Sequence, residues 1–201
     1  MLNEEEHRRI GQAIREAETQ TRADIVCVVA RQSSSYSAVP VLWAALVALL
    51  LPWPVALLSA WSPLRLLTLQ VAAFILVATV LSWGRLRFVL VPRAIKRIRA
   101  ERAAFEHYYA HGLTRTPERL GLLIFVSFAE RYIRVVADDG LCEWIPDAAW
   151  RPAIDALADA IRRGELADGL VTAIAACREP LALHFPARGG AHALPDKVYV
   201  V

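Results

Sequence analysis

The sequence predicts an α/β protein in which a two-helix transmembrane hairpin interrupts a domain built on a small mixed sheet. Two observations predict this architecture. The chain of 201 residues is 56% hydrophobic with a mean hydropathy of +0.37, which is more apolar than an ordinary soluble domain. Outside the most apolar part, amphipathic helical patterns separate short runs of strand length, as in α/β folds.

Residues 1–37 are predicted to hold one helix and one strand. The opening "MLNEEEHRRIGQAIREAE" is charged and amphipathic, which indicates folded protein and not a secretory signal. We expect the helix from about Glu4 to Gln20 and the strand "ADIVCVVA" over Asp24 to Ala30. These two elements cannot bury a core alone. Residues 1–37 must therefore fold together with a later part of the chain.

Residues 38–85 are predicted to form the transmembrane hairpin. No charged residue occurs from Gln32 to Leu64 or from Leu66 to Gly84, and about 20 apolar residues suffice to cross a hydrocarbon core. We expect spans over about Val39 to Trp61 and Leu66 to Trp83, joined by the short link "SPLR". A link of this length returns both outer ends of the hairpin to one side of the membrane.

Two prolines interrupt the first span. Pro52 and Pro54 each remove a backbone donor and clash with the preceding turn, so the span should kink or unwind locally.

The distribution of Lys and Arg predicts the orientation. Only one acid, Glu101, accompanies the cations that follow the second span. These cations are Arg85, Arg87, Arg93, Lys96, Arg97, Arg99 and Arg102. The positive-inside rule therefore predicts an integral protein of the inner (cell) membrane with both termini in the cytoplasm. The same run is expected to attract anionic lipid headgroups. We prefer lipid over nucleic acid, because the run directly follows a span and the net charge is only +3.

Residues 86–186 are predicted to complete the split domain, and residues 187–201 to form a loosely ordered tail. An amphipathic helix from about Arg87 to His111 ends at Gly112. The apolar run "LLIFVSF" predicts a buried central strand, and "RYIRVVAD" predicts its hairpin partner. Two helices follow, "DAAWRPAIDALADAIRRG", capped by Asp147, and "LADGLVTAIAACREPLALHF". Because the first two strands are joined by a crossover, we expect them to be parallel.

Sequence patterns of known catalytic sites are missing. Cys27, Cys142 and Cys177 are widely spaced, so neither a disulfide framework nor a zinc site is indicated. His107 and His111 are four residues apart, but the segment between them lacks the glutamate base of a zinc protease. The sequence has no C-x5-R loop, no D-x-D-x-T motif and no Gly-rich phosphate cradle.

The segment "RYIRVVADDGLCEWIPDAAW", residues 131–150, carries a cluster of acids. Antiparallel return of its strand should bring Asp138 and Asp139 to the end of the sheet where Asp24 lies, with Glu143 following. Carboxylate oxygens are the ligands that calcium and magnesium prefer. The tripeptide "DDG" after a strand is also ordinary turn chemistry. A metal site formed by Asp24, Asp138, Asp139 and Glu143, with calcium as its cofactor, and a simple turn both remain open.

The order of these segments resembles the TPM domain family. The resemblance rests on "ADIVCVVA", "FEHYYAHGLTRTPE", "RLGLLIFVSFAERYIRVVADDGL", "PDAAW" and "LADGLVTAIAA". It implies an α/β/α sandwich over a small sheet, with calcium binding in some relatives and acid phosphatase activity in a plant relative. Relatives usually carry Gly-x-Gly-Leu where this chain has Asp138, Asp139, Gly140 and Leu141.

Two hypotheses about function follow. The first is a membrane-anchored cytoplasmic domain that binds or scaffolds a membrane protein partner. The alternative is a metal-dependent, phosphatase-like hydrolase that uses the acidic edge of the sheet. Whether the chain is an enzyme stays open, because the resemblance concerns the fold more than the activity.

Overall fold

The computed structural model describes most of the chain in two compact units. The described residues are 2–33, 38–58, 62–82, 91–116, 118–187, 194–195 and 198–201. One unit comprises Met1–Ser33 and Arg99–Val201, and the other comprises Ser34–Ile98. The amino-terminal segment thus folds with the carboxyl-terminal half of the chain.

The first unit is built on a four-stranded mixed sheet of order β3-β2-β1-β4. Strand β1 (Asp24–Ala30) is parallel to β2 (Gly121–Ser127), and β3 (Tyr132–Ala137) is antiparallel to β2. The predicted pairing is confirmed. All residues of β1 and β2 are buried, as expected for central strands that are apolar on both faces.

Helices cover both faces of this sheet, which confirms the α/β/α sandwich. Helices α1 (Glu4–Glu18), α7 (Arg151–Arg163) and α8 (Leu166–His184) lie over one face. Helix α5 (Arg93–Ala110) lies over the other. Alternate residues of β1 point into the two cores, as the two-residue period of a strand requires.

The second unit contains two apolar helical segments that are long enough to cross a membrane, by length and composition, at Val39–Leu58 and Pro63–Ser82. The first segment is broken at Leu51 into α2 (Ala38–Leu50) and α3 (Pro52–Leu58). Pro52 begins the new helix, where its missing N–H costs nothing. The predicted interruption is confirmed. Helix α4 (Pro63–Ser82) packs against α2.

Some sequence predictions lie outside the described residues. These are the positions of Trp61, Trp83, Arg85 and Arg87. Helix α5 begins at Arg93, and the carbonyl oxygen of Pro92 accepts a hydrogen bond from the Lys96 amide at 3.2 Å.

The structure corrects two predictions. The tail is not wholly loose, because Val198–Val200 forms β4 and pairs in parallel with β1. Asp147 does not cap a long helix. It begins a short 3-10 turn, Asp147–Trp150, that precedes α7, and no side-chain cap bond is present. Pro152 stands in the first turn of α7, where a helix tolerates proline, so the regular α-helix starts there.

Candidate functional site

The predicted acids gather at the end of the sheet where β1 and β2 begin and β3 ends. Asp24 is in register with Gly121, and the Asp138 amide donates to the Gly121 carbonyl at 2.9 Å. Asp24 and Asp138 therefore lie on opposite sides of β2, about 10 Å apart by strand spacing. The two aspartates share one end of the sheet, with β2 between the strands that carry them.

Arg119 holds the two consecutive aspartates. Its Nε lies 3.2 Å from Asp138 Oδ1, and its Nη2 lies 2.6 Å from Asp139 Oδ2. The hydrogen bond and charge of Asp138, with the charge of Asp139, raise the pKa of Arg119. We call Tyr108, Arg119, Asp138 and Asp139 the Arg119 cluster. Its carboxylates are already paired with a cation from the chain itself.

An unusual backbone conformation places Arg119. Its φ is +57°, in the left-handed region that a non-glycine residue adopts at a cost of about 1 kcal/mol or more. The Arg119 and Glu118 carbonyl oxygens lie close to Gly140, where an added Cβ would approach both within 2.7 Å. Gly140 is therefore required for this loop to pass.

The backbone accommodates an aspartate at position 138, where the resemblance leads one to expect glycine. Its φ is −72°, which any residue adopts, so a glycine is not needed there. Its Oδ1 accepts from the Asp139 amide at 2.7 Å and caps the short helix α6 (Asp139–Cys142). The aspartate thus adds a cap at a position where the resemblance leads one to expect glycine.

Two buried polar atoms of the Arg119 cluster lack hydrogen-bond partners. Asp138 is 3% exposed and Tyr108 is 4% exposed. Neither Asp138 Oδ2 nor the Tyr108 hydroxyl makes a hydrogen bond within the described residues. Burial raises the pKa of Tyr108, and so do hydrogen bonding to Asp138 and the charge of that carboxylate, so the phenol stays protonated beside Asp138. A buried carboxylate oxygen without a partner is costly, and the protonated Tyr108 hydroxyl is a neighbouring donor.

The four predicted metal ligands are not assembled around one point. Asp138 and Asp139 are joined through Arg119. Asp24 lies on β1, two strands away from β3, and Glu143 is exposed beyond α6. Within the described residues, no group of three or more His, Cys, Asp or Glu side chains could hold a metal ion. A cation at Asp138 would have to displace the Arg119 guanidinium.

A second polar cluster lies at the opposite end of the sheet. Ser33 Oγ donates to Ser127 Oγ at 3.0 Å, and Ser127 Oγ donates to the Glu130 carboxylate. The Ser33 amide also donates to both Glu130 oxygens, at 3.1 and 3.2 Å. Glu130 thus ties the chain leaving β1 to the turn between β2 and β3, which is a structural role.

The cysteines are not activated as nucleophiles. Burial raises the pKa of Cys27 and raises the pKa of Cys177 to about 12. Burial, together with Asp147, Asp139 and Asp138, raises the pKa of Cys142. The thiolate is the reactive form of cysteine, so these thiols are poor candidates for a covalent phosphatase.

His107 near the end of α5 and His111 just after it stack and do not converge on a common point. The rings of His107 and His111 are 5.9 Å apart and 14° from parallel, and His111 stacks on Tyr199 at 4.0 Å. Burial is the main cause that lowers the pKa of both imidazoles. They serve as neutral aromatic packing between α5, the sheet and β4.

Sequence reasoning missed Arg119 and Tyr108. Arg119 stands two residues before β2, and antiparallel pairing brings the start of β2 beside the end of β3, so the topology contained a signal for it. Tyr108 lies on the face of α5 that carries the buried Ala100 and Ala104. Its position could be predicted, but its proximity to Asp138 depends on how α5 packs.

Comparisons with known proteins agree with this fold. Residues 83–179 match a family model described as TPM domain. The NMR structure of BA42 protein from the psychrophilic bacterium Bizionia argentinensis is similar, with a TM-score of 0.62 and 17% identity over 100% of this chain and 96% of that chain. At this identity the likeness concerns the fold alone. The search of curated proteins gives no match.

Proposed function

Because this chain carries a TPM domain, we propose that it is a membrane-anchored binding module whose domain holds a membrane protein partner. The anchor is the pair of apolar segments of the second unit. In this proposal both termini lie in the cytoplasm and the anchor sits in the inner (cell) membrane, as the excess of Lys and Arg after the second span favours.

The observation that carries this proposal is that Arg119 forms salt bridges with two different aspartates. It pairs with both aspartates that a metal-dependent hydrolase would use, at 3.2 and 2.6 Å. The raised pKa values of Cys27, Cys142 and Cys177 remove the common alternative of a thiolate nucleophile. A domain whose two consecutive aspartates are paired with Arg119 and whose thiols are not activated supports binding better than turnover.

An exposed tryptophan beside the acidic edge suggests where a partner binds. Trp144 follows α6 and is 63% exposed. Tryptophan is enriched among the residues that dominate binding energy at interfaces. We place the contact surface on α6 and Trp144.

Site-specific photo-cross-linking in membranes tests this proposal. A photoreactive residue at position 144 is expected to give one discrete product with a membrane protein. The same residue at position 183 is the control, because Leu183 is 77% exposed but stands near the end of α8. Equal products at both positions, or none at position 144, would contradict the proposal.

A second candidate function rests on the unpartnered oxygen of Asp138. In this alternative, Asp138 Oδ2 and the neighbouring Tyr108 hydroxyl, both buried, would turn from each other toward a bound calcium ion or substrate. Asp139, Glu143 and Asp24 would then assist in a metal-dependent, phosphatase-like hydrolysis. Calcium takes six to eight oxygen ligands, and Arg119 occupies one oxygen of Asp138 and one of Asp139. Arg119 would therefore have to move away before the ion could bind.

A further inference from the structure

We infer that the first two turns of α5, Arg93–Ile98, bind the phosphate groups of anionic lipids. These residues belong to the second unit, which also contains the apolar helices. The inference goes beyond the proposed partner binding, because it assigns a lipid-binding surface to a separate part of the chain.

The helix changes character along one face. In its second half, the face that packs against the sheet carries Ala100, Ala104 and Tyr108, all buried. Arg93 and Arg97 precede Ala100 and Ala104 by seven residues, and residues at such spacings share a helix face. This face therefore carries buried apolar and aromatic side chains in the second half of α5 and cations near its amino end. The amino-terminal part of the face is thus suited to a polar or anionic partner and not to an apolar one.

Charge pairing differs between Arg102 and the three cations Arg93, Lys96 and Arg97 at the start of α5. Arg102 pairs with Glu106 at 3.1 Å, and Glu101 pairs with Arg134. Among the described residues, Arg93, Lys96 and Arg97 make no salt bridge, and the first turn of α5 contains no acid.

The helix terminus adds to this positive charge. The partial positive charge of a helix amino terminus repels cations and attracts anions. Three cations in the first turns of α5 are therefore unfavourable until an anion binds. Phosphate matches both the free amides of a helix start and the guanidinium groups of arginine.

The membrane surface is the source of phosphate that the chain itself favours. Helix α4 ends at Ser82 and α5 begins at Arg93, and the ten residues between them extend over at most about 35 Å. The start of α5 is thus tethered within reach of the headgroups next to the second span. Each basic residue near an anionic surface strengthens binding by about fivefold.

The test uses the full chain in bilayers of phosphatidylcholine mixed with phosphatidylglycerol. Electron paramagnetic resonance of spin-labelled lipids gives the affinity of each lipid for the protein. We expect the wild type to prefer phosphatidylglycerol. Arg93→Gln or Arg97→Gln should each weaken this preference by about fivefold, and Lys96→Gln added to both should abolish it.

Arg102→Gln is the matched control, because it removes the same charge from the same helix at a residue that already pairs with Glu106. It should leave the lipid preference unchanged. A loss in Arg102→Gln equal to that in Arg97→Gln would overturn the inference.

The lipid preference of the wild-type protein is also measured at increasing salt concentration, which tests the inference without altering the fold by mutation. We expect the preference to fall as salt rises, because counterions screen exposed charges. A preference that does not change with salt would overturn the inference. Its removal by millimolar inorganic phosphate would also do so, because the site would then bind free phosphate and not the membrane.

Discussion

At the residue scale, Arg119 decides how the acidic edge behaves. Consecutive aspartates alone would repel each other, so the sequence predicts that Asp138→Asn is neutral or slightly stabilising. Arg119 reverses this expectation. Asp138 accepts from Arg119 and from the Asp139 amide while only 3% exposed, so removing its charge weakens a buried, charge-assisted hydrogen bond.

We predict that Asp138→Asn lowers the free energy of unfolding by about 1 kcal/mol. Hydrogen bonds to charged groups contribute about 1.5–3 kcal/mol. The loss is smaller here because the Arg119 side chain is 52% exposed and keeps its salt bridge with Asp139. Thermal unfolding with and without millimolar calcium measures both the cost and the ligand effect. We expect no calcium-dependent shift in wild type. A rise in Tm with calcium that disappears in Asp138→Asn would favour a calcium site, through mass action on the folded state.

The sequence predicted which acids share an end of the sheet, because strand direction alone determines that. It could not predict their partner. The contact with Arg119 depends on a left-handed backbone at that residue and on the close passage of its carbonyl over Gly140. Both are tertiary features that leave no local pattern of apolar or polar residues.

At the element scale, β1 joins the two separated segments of the domain. Its residues pair with β2 on one side and β4 on the other, and its side chains enter both cores. The sequence predicted the bounds of β1 because six residues of small and β-branched type, 25–30, stand between polar segments. It could not predict β4, whose three residues follow a segment rich in glycine and proline and form a strand only by pairing with β1.

We predict that Val26→Asp or Val28→Asp unfolds the whole first unit. Val26 and Val28 are 1% and 0% exposed, and an unpaired charge buried in an apolar core costs about 4 kcal/mol or more. Hydrogen exchange across residues 99–185 measures the effect. Leu183→Asp, at a side chain 77% exposed, is the control and should keep its protection. Protection that persists in both β1 variants would show that residues 2–33 fold independently of the rest.

At the scale of the whole molecule, the chain interleaves a domain with two helical segments that are long and apolar enough to cross a membrane. The two apolar segments were predictable from the missing charges alone, and the break at Leu51 from the prolines that follow it. The orientation in the membrane stays a prediction, because it depends on which side of the membrane the Lys and Arg residues after the second span occupy.

We predict that both termini are cytoplasmic and that residues near Ser62 to Arg65 face the other side. Fusions of a reporter that is active only after export are expected to be inactive at either terminus. The same reporter inserted after Ser62 is the control and should be active. Activity at the termini would reverse the assigned orientation.

An assay of phosphate-ester hydrolysis by the purified protein tests most directly whether it is a binding module or a phosphatase-like hydrolase. The assay compares wild type with Asp138→Asn in calcium, in magnesium and in chelator. Because Arg119 neutralises the acidic edge, we predict that both proteins give only the background rate under all three conditions. Metal-dependent turnover by wild type that is lost in Asp138→Asn would contradict the binding module and establish the hydrolase.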